Sequence, residues 1–116
     1  MGVVATKSYS FALEVIEIHR HLLETKKEYV LSKQLLRSGT AIGALIKEAE
    51  HAQSRADFLH KMNIALKEAN ETEYWLMLLK DSNNIDKERY NKIIAPCKSI
   101  LRLLISIVKS TKSNLK

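Results

Sequence analysis

The sequence predicts an all-α protein folded as an antiparallel, up-down-up-down four-helix bundle. Three observations lead there. Apolar residues recur at alternating steps of four and three in four successive segments, the seam of a helix packed at a shallow angle on its neighbours. Only three glycines and one proline occur in 116 residues, so turns are few and the elements long. No segment alternates apolar and polar residues between turn signals, so no strand is expected.

The first helix is expected over residues 10–25, where Phe11, Val15, Ile18 and Leu22 step along one face. "TKKEY", Thr25 to Tyr29, is then a polar link. The second helix is expected over residues 30–53, with Leu31, Leu35, Ser38, Ile42, Leu45, Ala49 and Ala52 on its seam. The third, over residues 55–81, carries Phe58, Met62, Ala65, Ala69, Thr72, Leu76 and Leu79. Ser54 opens it, placed to accept a bond from a free amide, and acidic Asp57 suits the helix dipole. "DSNNID", Asp81 to Asp86, is the clearest loop, and Asp86 is the expected N-cap of the fourth helix. Ile85 and Tyr90 flank that cap as a hydrophobic staple. The fourth helix, over residues 87–110, has Tyr90, Ile94, Cys97, Leu101, Leu104 and Val108 on its seam. Pro96 is expected to kink it or break it locally. Short links force neighbouring helices to run antiparallel, and the chain is expected to form a single domain over residues 1–116.

Gly39 and Gly43 fall inside the second helix, where each costs about 0.5 to 1 kcal/mol relative to alanine. A phosphate-binding loop would need Lys and Ser/Thr directly after its last glycine and a strand before it; "ALIK" follows Gly43. A turn would break the four-three register that runs from Leu35 through Ser38 and Ile42 to Leu45. Ser38, Gly39 and Gly43 are therefore expected to form a packing notch that admits another helix closely.

No arrangement of catalytic residues stands out. Glu48 and His51 have the spacing of a di-metal bundle motif, and Asp57 and His60 a weaker version. No acid follows Glu88 to complete a ligand set, and both histidines lie off the seam, expected to point sideways or outward. His19 and His21 are two apart and expected at the surface. Cys97 lies on an apolar seam with no histidine placed to activate it, and reads as a small buried hydrophobe. Tyr74, Trp75 and Met77 read as core or interface. Neither an enzymatic activity nor a cofactor nor a metal is expected. The lone cysteine gives no internal disulfide, and "ILRLLISIV" is interrupted by Arg102 and far too short to span a membrane. We expect a soluble, cytoplasmic protein.

Charge is distributed unevenly. Residues 1–88 hold 12 Lys/Arg and 13 Asp/Glu, whereas residues 89–116 hold seven Lys/Arg and no acid. The entire net charge of +6 therefore resides in the fourth helix and its tail. Lys98, Arg102, Lys109, Lys112 and Lys116 share one face, with Arg89 and Lys92 earlier on the same helix. Two readings stand: a solvated face that complements the helix dipole, or a stripe that binds phosphates. The same helix carries a second apolar stripe, Ile93, Ile100 and Ile107, with Leu103 and Ile105 beside it. Two stripes suggest a partner on the second side, and self-association is the simplest source of one.

The run "YVLSKQLLRSGTAIGALIKEAEHAQSRADFLHKMNIALKEANETEYWLMLL" resembles the proteins encoded in intervening sequences of bacterial 23S rRNA genes, known as four-helix bundle proteins. The match is without gaps through the second and third helices. It includes Leu35-Leu36-Arg37, the small residues from Ser38 to Gly43, Glu48-Ala49, Asp57-Phe58, Ala65-Leu66-Lys67-Glu68 and Tyr74-Trp75-Leu76. The resemblance implies a bundle assembled as a homopentameric ring or barrel. It also implies kinship with accessory proteins of diversity-generating retroelements, which bind reverse transcriptase and RNA. It brings no catalytic residue. Gly43 stands where many relatives have proline, which leaves the second helix less rigid here. The expected partners are thus a second copy, RNA or DNA, and a reverse transcriptase or other protein. The expected function is nucleic-acid binding through the basic helix, the alternative being a protein–protein adaptor.

Overall fold

The computed structural model describes residues 2–115. The chain is all-α, with no strand among the described residues: α1 (Gly2–His21), α2 (Leu31–Ala49), α3 (Arg55–Asp81) and α4 (Lys87–Leu115). α1 runs on into a π-helical turn, Leu22–Lys26. The helices lie side by side around one core in a body 49 × 21 × 20 Å across. The 29 residues of α4 cover about 43 Å, most of that length, and the helix continues through Pro96.

Three boundaries differ from expectation, each for a local reason. α1 begins at Gly2, because Val4 and Ser8 continue the buried stripe of Phe11, Val15, Ile18 and Leu22 back by steps of four and three. Ser8 interrupts the apolar pattern but turns its hydroxyl onto the Ala5 carbonyl, 3.0 Å away. α2 ends at Ala49, since the amides of Glu50, His51 and Ala52 tighten onto the carbonyls of Lys47, Glu48 and Ala49 at 3.1–3.3 Å. α4 runs on to Leu115, its buried stripe extended by Thr111, whose hydroxyl donates to the Ile107 carbonyl at 2.7 Å.

The starts of α2, α3 and α4 are closed by side chains. Ser54 Oγ accepts the Asp57 amide at 3.0 Å, and Asp57 accepts the Gln53 amide at 3.1 Å. Asp86 accepts the Arg89 amide at 2.7 Å, a bond that holds its carboxyl below the usual carboxylate range. The α2 start carries a cap that the sequence pattern did not reveal. Lys27 adopts the left-handed conformation, φ 57°, and turns Glu28 so that its carboxylate accepts the amides of Val30, Leu31 and Ser32 at 3.3, 3.1 and 2.7 Å.

The notch residues meet different neighbours. A Cβ built on Gly39 would stand 2.8 and 2.9 Å from the two Cγ atoms of Val15, so α1 crosses α2 there within the space of a missing methyl group. At Gly43 the nearest atom is Ser8 Oγ, 3.4 Å from such a Cβ. Ser38 faces α3 instead, its hydroxyl sharing a hydrogen bond with the buried Thr72 hydroxyl at 2.9 Å. Thr72 also donates to the Glu68 carbonyl at 2.7 Å, so this polar pair is satisfied in the core.

α4 corrects the sequence expectation most. Ile93 and Ile100, expected at an oligomer interface, are buried in the chain's own core, with Ile100 wholly inaccessible. α4 packs against both α1 and α3, so its buried arc is wide enough to take both apolar stripes. Leu103 and Ile107 are the two interface candidates left half-buried.

Candidate nucleic-acid interface

Helix geometry sorts the six basic candidates of α4 into two groups. At 3.6 residues per turn, Lys98, Arg102, Lys109 and Lys112 fall within roughly 80° of arc, and all four are exposed. Lys116, which the sequence places with them, lies outside the described residues. Between these cations the exposed positions are Ile105, Ser106 and Ser110, with no acid on the face. Among the described residues, no carboxylate lies within ion-pair distance of Lys98, Arg102, Lys109 or Lys112.

Arg89 and Lys92 stand apart from this face. Both are paired along their own helix, Arg89 with Asp86 at 3.0 Å and Lys92 with Glu88 at 3.7 Å. They line a groove of about 480 Å³ between α1 and α4, opposite Glu14, Glu17 and Glu24. Partial burial raises the Glu14 carboxyl above its ordinary range. His21 is held below the usual imidazole value, first by desolvation and then by the nearby Arg89 and Lys26 charges. The groove mixes both signs of charge, so it lacks the one-sided potential of the outer face. The structure therefore does not bring Arg89 and Lys92 together with the other four.

One cation joins the face from another helix. Lys7 of α1 reaches across and donates to Ser99 Oγ at 3.3 Å, beside Lys98. Nothing in the α1 sequence marks Lys7, because its neighbour is decided by how α1 lies on α4.

Other residues singled out from the sequence take structural places. Cys97 is buried with its sulfur 3.9 Å from the Ala69 carbonyl, and burial pushes its thiol up to about 12. His51 and His60 are exposed, and among the described residues no three His, Cys, Asp or Glu side chains gather as a metal-ligand set. His19 is not a free surface group: its Nδ1 lies 3.2 Å from the Ser32 carbonyl, joining α1 to the start of α2. Trp75 packs on the core with Tyr74 edge-on, ring centres 5.3 Å apart, while Tyr74 and Met77 are exposed. Arg37 bridges α2 to α3 through Glu68 at 3.2 Å and Glu71 at 2.6 Å. A shallow apolar groove of about 380 Å³ lies at the other end of α4, lined by Val3, Val4, Phe58, Leu103 and Ile107. Among the described residues, no helix is long and apolar enough to cross a membrane.

Comparison with known proteins places this arrangement. A search of curated proteins finds no match. A solved structure of a protein of unknown function from the S23 ribosomal protein family of Bacteroides thetaiotaomicron VPI-5482 is 56% identical. It superposes with a TM-score of 0.91 over 92% of this chain and 99% of its own. The family model described as 23S rRNA-intervening sequence protein matches residues 3–106, a span that takes in Arg37 with its α3 partners, the Gly39 crossing and most of α4. With nine-tenths of its length matched, the chain belongs to the 23S rRNA-intervening sequence protein family.

Proposed function

We propose that this chain is a non-enzymatic, homo-oligomeric accessory module that binds nucleic acid, RNA above all, through the outer face of α4. One observation carries the reading: Lys98, Arg102, Lys109 and Lys112 are exposed on one face without a carboxylate partner among the described residues. Four uncompensated cations on a rigid helix raise a local potential that attracts phosphates, and Lys7 adds to it. A face kept merely soluble needs no such segregation of sign, since mixed charges serve as well.

The finer architecture follows the same reading. Gly39 opposite Val15 and Gly43 opposite Ser8 support α1 and α2 running antiparallel, and Ser38–Thr72 with Glu48–Lys61 support the same for α2 and α3. The family resemblance favours a homopentamer, formed in the cytoplasm and serving a reverse transcriptase or another protein. Of the interface candidates on α4, half-buried Leu103 and Ile107, beside exposed Val3, are the ones left available for self-association. Closed symmetry would repeat the basic face around a ring.

The test is RNA binding by fluorescence anisotropy across a salt series, with Lys98, Arg102, Lys109 and Lys112 changed together to Gln in a second protein. The parent should bind at low salt with little sequence preference, and each cation lost should flatten the salt slope by about one unit. A parent that binds no nucleic acid at low salt, or a fourfold variant that binds as well as the parent, hands the function to the adaptor reading.

A further inference from the structure

The four cations of the outer face are not evenly spread. Lys98 and Arg102 form one pair, Lys109 and Lys112 a second. Arg102 and Lys109 are seven positions apart, about 10 Å of axial rise. Exposed Ile105 and Ser106 occupy this gap, and no charge of either sign does. We infer that the face takes a double-stranded nucleic acid, its two basic pairs resting on the phosphate strands that flank a single groove. This deepens the nucleic-acid reading above and depends on it.

Three physical arguments favour a duplex over a single strand. The first is the absence of a stacking platform. Proteins that hold single strands stack successive bases on aromatic rings. The strongly exposed aromatics are Tyr9, Tyr29 and Tyr74, on α1, on the α1–α2 link and on α3; α4's only aromatic, Tyr90, lies half-buried beneath Lys80 Nζ, 4.5 Å from its ring centre. The second is charge density. A double helix presents about one phosphate per 1.7 Å of axis, twice that of one strand, to cations that a helix holds in fixed positions. A single strand must also be ordered to match them, at an entropic cost that a duplex has already met. The third is spacing. A gap of about 10 Å between cation pairs is commensurate with the roughly 12 Å width of the B-form major groove. The shallow minor groove of an RNA duplex offers a comparable wide opening flanked by phosphates. Ile105 and Ser106 would then meet sugar and groove edge, where neither needs a charge partner.

The experiment compares two-turn duplexes of DNA and of RNA with single strands of the same length and sequence, by anisotropy from about 50 to about 200 mM salt. The parent should hold at least one duplex about tenfold more tightly than its single strand. Its salt slope on that duplex should be about 3.6 for four phosphates, against about 2.8 on a single strand. Whether DNA or RNA binds better identifies which form of groove fits. A relocated variant, Ile105→Lys, Ser106→Lys, Lys109→Gln and Lys112→Gln, keeps the net charge but fills the gap. All four positions are exposed, so circular dichroism should confirm an unchanged helix content and melting curve. That variant should lose several-fold in duplex affinity and keep its single-strand affinity. Single strands bound as tightly as duplexes, or a relocated variant that holds duplexes as well as the parent, overturns the inference while leaving nucleic-acid binding intact. No binding of any of the four probes removes the nucleic-acid reading and the inference together.

Discussion

Gly39 and Gly43 stand one turn apart on α2 in different surroundings, and single methyl groups tell them apart. A Cβ at Gly39 would press on both Cγ atoms of Val15, a β-branched side chain with little rotamer freedom and no exposure. Gly39→Ala should therefore lower stability by about 1 to 3 kcal/mol through overpacking, despite better helix propensity. Gly43→Ala meets only ordinary contacts, 3.4 Å to Ser8 Oγ, and should raise stability by about 0.5 to 1 kcal/mol. Paired thermal melts read the opposite signs directly; a Gly39→Ala variant that melts higher than the parent would remove the Val15 crossing from the account. The spacing of the glycines marked a close approach in the sequence. Which glycine bears the contact did not follow, because it depends on where the Val15 side chain lies. Cys97 supplies a second residue-scale test. Burial raises its thiol from an ordinary value of 9.0 to about 12, so the unfolded chain ionises first as pH rises. The thiol's contribution is complete below pH 9 and declines between about 9 and 12. Cys97→Ala should flatten that alkaline decline in chemical denaturation, and an unchanged profile would contradict the assignment.

Among the elements, α2 depends on a cap that its sequence conceals. Glu28 lies in a run that reads as a polar link, "TKKEY", yet its carboxylate gathers three amides of the α2 first turn. The Ser32 hydroxyl returns a bond to the Glu28 carbonyl at 2.8 Å. Ser, Thr, Asp and Asn are the usual caps because their short side chains reach a local amide. A glutamate can do so here only because Lys27 turns the chain into the left-handed region first. Glu28→Ala should cost about 1 kcal/mol of stability. Glu28→Gln should cost less, since it keeps an acceptor but loses the favourable charge at the helix start. A loss of under a few tenths of a kcal/mol for Glu28→Ala in urea denaturation would show that water serves those amides equally well. The caps at Ser54 and Asp86 were legible because they belong to the common residue types at the common spacing.

At the scale of the whole molecule, the two apolar stripes of α4 separate folding from assembly. Ile100 is wholly buried in the core, whereas Ile107 is half-buried in the lining of the apolar groove with Val3, Phe58 and Leu103. Ile100→Lys should destabilise the fold itself by about 3 to 5 kcal/mol, because it leaves a charge unpaired in the core. Ile107→Lys should leave the helix content and melting curve nearly intact and reduce the oligomer mass measured by light scattering. A parent that runs as a monomer at micromolar concentration would dismiss self-association. A parent oligomer unaffected by Ile107→Lys would move its interface away from this groove.

Periodicity, turn signals and charge counts were enough for the helix class, the places of the α1–α2 and α3–α4 links, most of the buried residues on α1 and α3, and the segregation of positive charge into α4. These are properties of one element at a time, and a period of 3.6 residues states which side chains share a face. Tertiary structure alone decided how wide each buried face is and what lies opposite it. α4 touches α1 as well as α3, so Ile93 and Ile100 turn inward with the main seam. The same docking directs Arg89 and Lys92 toward the carboxylates of α1 and brings Lys7 beside Lys98. Periodicity gives the direction of a side chain relative to its own helix axis. The rotation of that helix against its neighbours, set by the packing of the whole core, decides whether the direction leads to the interior, to a paired charge or to open solvent.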